Sequence, residues 1–253
     1  MESRLRLEIL PQPDETTCGP TCLHAIYRYY GDRIALGRVI GGVKRLRGGG
    51  TMAVHLGCHA LQRGYRAAIY TYNVAVWDPS WFAGGEPEAD LLRAKLKAQA
   101  AVKSGYRLQA ATRGYQAFLK LGGRVLMTDL TRGLVRDYLN RKVPILAGVS
   151  ATYLYRSPRE VGAPRWYDDV RGTPTGHFVV LCGYDRESKE VMVADPLHPN
   201  PPFDSHKYRV RVDRLAGAVY LGVLTYDSVM LVIEPPERAT RPPRRGVTRG
   251  KQG

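Results

Sequence analysis

Apolar residues recur at helical spacing after Cys18, at Cys22, Ala25, Ile26 and Tyr29, and predict an amphipathic helix over 18–30. Thr17 stands where a cap would, Pro20 falls in the first turn, where its missing N–H is harmless, and Gly31 marks the stop. The pattern puts Cys18 at the N-terminal end of a buried stripe. Before it run an extended segment over 4–12 and a loop over 13–17. After it come a second helix over 52–63, ended by Gly64, and a strand over 65–76. A third helix at 132–141 precedes a strand at 144–150. A loop rich in Gly, Pro and Tyr over 151–175 leads to a strand at 177–184, which turns at 186–189 into a second strand at 190–194. Closing strands are expected at 208–212 and 229–233. Helices come early, strands late, and no βαβ alternation appears, so the expected class is α+β.

Between 78 and 124 the character changes. The interval from Asp90 to Asp129 encloses eight basic residues and no acid, with helical composition over 88–120. This reads as a basic helical insertion, a lid or a substrate-facing arm, within one domain spanning 1–234. Leu91, Leu92, Leu96, Tyr115, Phe118 and Leu119 supply the apolar positions to dock it. Residues 235–253 read as a disordered tail, because the last 17 residues hold six basic side chains and one acid among Pro and Gly, without an aromatic. That segment carries +5 of the chain's +15. The remaining positive charge favours an acidic peptide or acidic partner. No groove-reading motif or aromatic platform accompanies the charge, which argues against nucleic acid.

The N-terminus MESRLRLEIL has no apolar run of a targeting segment, and no stretch approaches the roughly 18 apolar residues of a membrane span. A cytoplasmic protein is expected, with its four cysteines (Cys18, Cys22, Cys58 and Cys182) reduced. Their spacing matches no zinc pattern. His55, Cys58 and His59 fall on one helical face but lack a fourth ligand, so neither metal nor cofactor is expected. No feature speaks to oligomeric state.

A thiol attacks well at neutral pH only as thiolate. Lowering it from about 8.5 to the 3–4 of His-paired cysteines takes roughly 7 kcal/mol, and a helix N-terminus supplies about 2 at best. Cys18 therefore needs an imidazolium. His24 lies on another face of the same helix, and His198 and His206 lie in loop sequence. His177 follows Gly176 at the start of an apolar strand, where its side chain can face a cleft. If the hairpin register sum is even, Asp195 shares the His177 face and can fix the imidazole tautomer, whereas a single bulge would break that relation. The Cys18 backbone N–H and the Gln12 amide are candidate donors to an oxyanion.

Gln12 with TTCGPTCLHAIYRYYG (16–31), GHFVVLCGYD (176–185) and VMVADP (191–196) resembles the bacteriocin-processing, double-glycine-leader cysteine peptidases and their papain-like relatives. The resemblance implies a papain-like fold, the nucleophile opening a central helix against an antiparallel sheet. It also implies Gln12 as oxyanion donor, Cys18 as nucleophile, His177 as base and Asp195 as orienter. Thr17 stands where the family often has an acid, and neither membrane spans nor an ATPase motif accompany the domain, so the leader-peptide substrate is not carried over. The expected activity is cleavage of a peptide or amide bond through an acyl-thioester. The alternatives are transfer of the same acyl group to an amine, as in a transpeptidase resembling phytochelatin synthases, and a non-catalytic peptide-binding module.

Overall fold

The computed structural model describes residues 3–162, 166–200 and 203–236; most of the basic tail, 237–253, lies outside them. In chain order the elements are β1 (Ser3–Arg4), α1 (Cys18–Tyr29), α2 (Leu36–Gly42), α3 (Ala53–Gln62), β2 (Arg66–Thr71), α4 (Ala89–Val102) and α5 (Tyr106–Lys120). Then follow β3 (Arg124–Leu126), α6 (Arg132–Asn140), β4 (Ile145–Ser150), α7 (Ala151–Tyr155), β5 (Glu160–Val161) and β6 (Trp166–Tyr167). The chain closes with β7 (Gly176–Asp185), β8 (Glu190–Ala194), β9 (Lys207–Arg211), α8 (Val212–Leu221) and β10 (Val229–Glu234).

The main sheet has the order β3-β2-β10-β4-β7-β8-β9, with β1 paired to the far end of β7. Its pairs are antiparallel except β2 with β3. Central strands of such a sheet, covered by helices, are buried on both faces and read as continuous apolar runs. The run His177 to Tyr184 is such a strand and is buried throughout. Helix α1 packs on β7, α3 on β2 and β10, and α8 on β4.

The α+β class stands, and three helices were not anticipated. Residues 212–221 carry buried Val212, Leu215, Ala218 and Val219 at helical spacing, where the sequence reading ends a strand at 212. The expected loop over 151–175 begins with α7 and contains the short pair β5–β6. Helix α2 buries only Val39, so its sequence carries little periodicity.

The basic segment forms α4 and α5, packed on each other, with α5 on α3. Leu92, Leu96, Tyr115, Phe118 and Leu119 join the same hydrophobic core as Leu23 and Val180. Leu91 does not: it is 48% exposed, because its position on α4 turns it to solvent. Phe118 holds the contact. A Cβ on Gly57 of α3 would come within 2.6 Å of its ring, and one on Gly123 within 2.5 Å, so the ring fills space that two absent side chains leave. Phe118→Ala should therefore cost about 3–5 kcal/mol of stability by cavity formation. Urea denaturation checks this, and a loss below about 1 kcal/mol would mean that α5 is loosely held.

Candidate active site

Cys18 is the first residue of α1 and is half-buried. Thr17 precedes it without capping the helix, contrary to the sequence expectation. Its hydroxyl donates to the Asp14 carbonyl (3.0 Å) and accepts from the Asp14 N–H (3.2 Å). A threonine cap serves the second or third helical N–H, and the third position here is Pro20, which has none. The first turn closes with Thr21 N–H to the Thr17 carbonyl at 3.0 Å. The N–H groups of Cys18 and Gly19 thus remain at the helix start, beside the thiol.

Close approach of α1 to β7 brings that thiol to the strand. A Cβ on Gly19 would meet Phe178 at 3.0 Å, Thr51 at 3.0 Å and Leu56 at 3.1 Å. One turn further on, the buried Cys22 thiol donates to the Phe178 carbonyl at 3.2 Å. Both contacts pin the helix next to His177.

The hairpin brings His177 and Asp195 together by a route the sequence reading had reversed. From the turn, Asp185 pairs with Glu190, Tyr184 with Val191 and Gly183 with Met192, an odd register that places Asp195 on the wrong face. A bulge at Cys182 then shifts the ladder, so Leu181 pairs with Val193 and Val180 with Ala194. Extended onward, this register sets Asp195 diagonal to His177 on one face. The bulge creates the relation it was expected to break. Its freed carbonyl, that of Cys182, accepts the Leu5 N–H at 2.8 Å.

His177 Nε2 and Asp195 Oδ1 are 2.8 Å apart, with His177 7% and Asp195 0% exposed. The carboxylate requires the proton on Nε2, which leaves Nδ1 as the ring nitrogen that can meet the Cys18 thiol. Asp195 Oδ1 also accepts from the Leu197 N–H (2.9 Å), and Oδ2 accepts from the Tyr155 (2.6 Å) and Tyr208 (2.5 Å) hydroxyls. Burial opposes the imidazolium, but the Asp195 charge, its hydrogen bond and Cys18 outweigh it and raise His177 to about 10. Burial likewise opposes the Asp195 charge, yet His177 and the two tyrosines hold the carboxyl below its usual range. Sequence reasoning missed both tyrosines. Tyr208 alternates inward with Val210 along β9, a visible signal that reads equally as core.

Cys18 and His177 open on a cavity of about 350 Å³, walled by the Gly48–Gly50 loop on one side and Pro174–Gly176 on another. Arg107, from the first turn of α5, reaches it and donates to the Thr225 carbonyl at 3.0 Å. Asp227 also lines it, with Oδ1 shut off from solvent and unpartnered. Burial pushes this carboxyl up to about 7, against the Ala53 N–H and Arg107. Gln12 is half-buried and bonds through its backbone N–H to the Pro196 carbonyl (2.9 Å), next to Asp195. Its side-chain amide donates to the Asp14 carbonyl at 2.9 Å. The three candidate metal ligands on α3 are engaged separately: His59 with the Tyr27 hydroxyl (2.8 Å), His55 with Thr51 (3.4 Å), and Cys58 with the Gly114 carbonyl (3.8 Å). Among the described residues, no three His, Cys, Asp or Glu side chains gather as a metal site, and no helix is long and apolar enough to cross a membrane.

The sequence profile described as the Peptidase_C39 like family matches residues 4–213. A search of the curated proteins finds no match. Among solved structures, a C39-like peptidase from Bacillus anthracis is similar with a TM-score of 0.52 and 12% identity, over 94% of this chain and 100% of that one. A double glycine motif protease from an AMS/PCAT transporter, in complex with the leader peptide, aligns with a TM-score of 0.44 and 14% identity, over 92% and 94%. Xylellain, a cysteine protease from Xylella fastidiosa, aligns with 0.41 and 12%, over 92% and 85%.

The His177 shift has a consequence for stability. The imidazole titrates near 6.5 when unfolded and at about 10 when folded. Its protonation therefore contributes fully below about pH 6.5, and the contribution is lost as pH rises through the folded value. Denaturation midpoints should fall between about pH 7 and 10 in the native protein, and that part of the fall should vanish in His177→Gln. Equal slopes in both would contradict the ion pair.

Proposed function

The chain belongs to the Peptidase_C39 like family, has the papain-like α+β fold and is a cysteine peptidase, and on that premise we propose that Cys18 is its nucleophile, His177 its base and Asp195 the group that orients the imidazole. The observation that carries this is the bond from His177 Nε2 to a fully buried, ionised Asp195, which leaves Nδ1 as the ring nitrogen to serve the thiol at the start of α1. The imidazolium and the orphan N–H groups of the helix start both place positive charge beside the sulfur that attacks.

In the proposed reaction the Cys18 thiolate attacks the scissile carbonyl of a bound peptide. The oxyanion accepts from the Cys18 N–H and from the Gln12 amide, which exchanges the Asp14 carbonyl for it. His177 passes its proton to the leaving amine, and an acyl-thioester remains. Water, deprotonated by His177, then releases the acid and restores the thiol.

The other thiols provide an internal control, since burial raises Cys58 and Cys182 to about 11 and Cys22 well above its ordinary value. Limiting iodoacetamide near pH 6 should label Cys18 first, and His177→Ala should slow that labelling. With a diverse peptide library read by mass spectrometry, cleavage should disappear in Cys18→Ala. Equal labelling of the four thiols, or cleavage that survives Cys18→Ala, overturns the assignment.

The basic outer face of α4 and α5 we assign to attraction of acidic substrate at range. Lys95, Lys97 and Lys103 are exposed, while the cavity itself sets Glu15, Glu160 and Asp227 against Arg107. Steering of this kind acts over about 10 Å at 0.1 M salt. Replacing the three lysines by Gln should lower kcat/KM for acidic peptides, leave kcat nearly unchanged and flatten the salt dependence. An unchanged salt slope would make the face a solvated surface only.

A further inference from the structure

Orienting an imidazole requires one acceptor in one place, and Asp195 is provided with more than that. Its main chain is clamped to the residue before β9: the Asp195 N–H donates to the His206 carbonyl (2.8 Å), and the His206 Nδ1–H donates to the Asp195 carbonyl (2.7 Å). The Leu197 N–H fixes the rotation of the carboxylate through Oδ1. Position is therefore settled before either tyrosine is considered. Yet Tyr155 from α7 and Tyr208 from β9 both aim their hydroxyls at the single oxygen Oδ2, at 2.6 and 2.5 Å. Packing holds the rings themselves: Tyr208 stacks flat on Phe203, 3.7 Å between centroids and 5° from parallel, and Tyr155 meets Phe203 edge-on at 6.4 Å. Two pre-aimed O–H dipoles on one buried oxygen act on its charge more than on its place.

Resting on the reading of Cys18, His177 and Asp195 given above, we propose that Tyr155 and Tyr208 are positioning residues that draw charge off Asp195 and so set the pH range over which the Cys18 thiolate and the His177 imidazolium coexist. The physical reason lies in competing demands on the carboxylate. It must stay ionised at a site closed to water, which hydrogen-bond donors favour. It must also not hold the His177 proton so tightly that the imidazolium cannot release it to a leaving amine. Each hydroxyl serves both demands, stabilising the anion while weakening its pull on Nε2. The titratable groups around it are His177 from β7, Cys18 and Cys22 from α1, Tyr155 from α7, Tyr208 from β9, and the His206 ring on its carbonyl.

Tyr155→Phe, Tyr208→Phe and the double variant test this, because Phe keeps the ring and the stack on Phe203 and removes only the donor. Thermal melts confirm folding, and where the double variant does not fold the two single variants carry the test. The readout is the rate of Cys18 alkylation by iodoacetamide from about pH 4 to 11, which needs no substrate. The alkaline limb, where the imidazolium is lost, should move up by about half a unit in each single variant and further in the double. Limbs that coincide with the native protein, or move down, overturn the proposal even if the melting temperature falls. A native protein whose Cys18 alkylates with the pH profile of an ordinary thiol would instead overturn the triad reading beneath it.

Discussion

The Asp195 carboxylate is wholly excluded from water, and a bare charge in that setting costs several kcal/mol unless partners satisfy it. Much of the surrounding architecture follows from meeting that requirement. Strand β7 delivers His177, α7 delivers Tyr155, β9 delivers Tyr208, and the loop after β8 turns the Leu197 N–H inward. Removing one donor leaves a buried anion short of a partner, so these elements hold one another in register. The charge that must be housed also housed the imidazole, and a histidine that burial would leave neutral is kept protonated.

The helix α1 meets this centre from the other side. Its N-terminus has no side-chain cap, its third position is proline, and its second is a glycine pressed against Phe178. The missing cap and the glycine weaken the helix as an isolated element, while the proline costs nothing in the first turn. Together they leave its first N–H groups open beside a thiol and let the helix start come within reach of β7. Tertiary packing recovers the loss: nine consecutive residues of α1 after Cys18 are buried, and the Cys22 thiol is bonded to the Phe178 carbonyl. Stability is conceded locally at the helix end where the chemistry is proposed.

Charge is distributed on two scales. The whole chain carries +15, with exposed lysines on α4 and α5. Inside the cavity the signs are mixed, and Asp227, with one oxygen closed off and unpartnered, is raised to about 7. On the proposed steering, far field and near field present a peptide with different surroundings, the first drawing in acids and the second offering both signs.

The sequence by itself determined the α+β class, the helix that starts at Cys18, and the strand that starts at His177. Periodicity and the flanking Gly31 and Gly176 are local signals, and local signals survive folding. It also showed the docking positions of the basic helices, apart from Leu91, whose solvent-facing phase depended on how α4 was rotated against its neighbours. Helices α7 and α8 escaped, because short or mixed runs are decided by what they pack against. Only the tertiary structure decided that His177 and Asp195 meet. Parity along a hairpin turns on a single residue, here supplied by the bulge at Cys182, whose carbonyl accepts from Leu5, some 177 positions away in the chain. The same holds for Tyr155 and Tyr208. A tyrosine in a half-buried strand or after a strand end reads as core, and nothing short of the fold aims two hydroxyls at one oxygen.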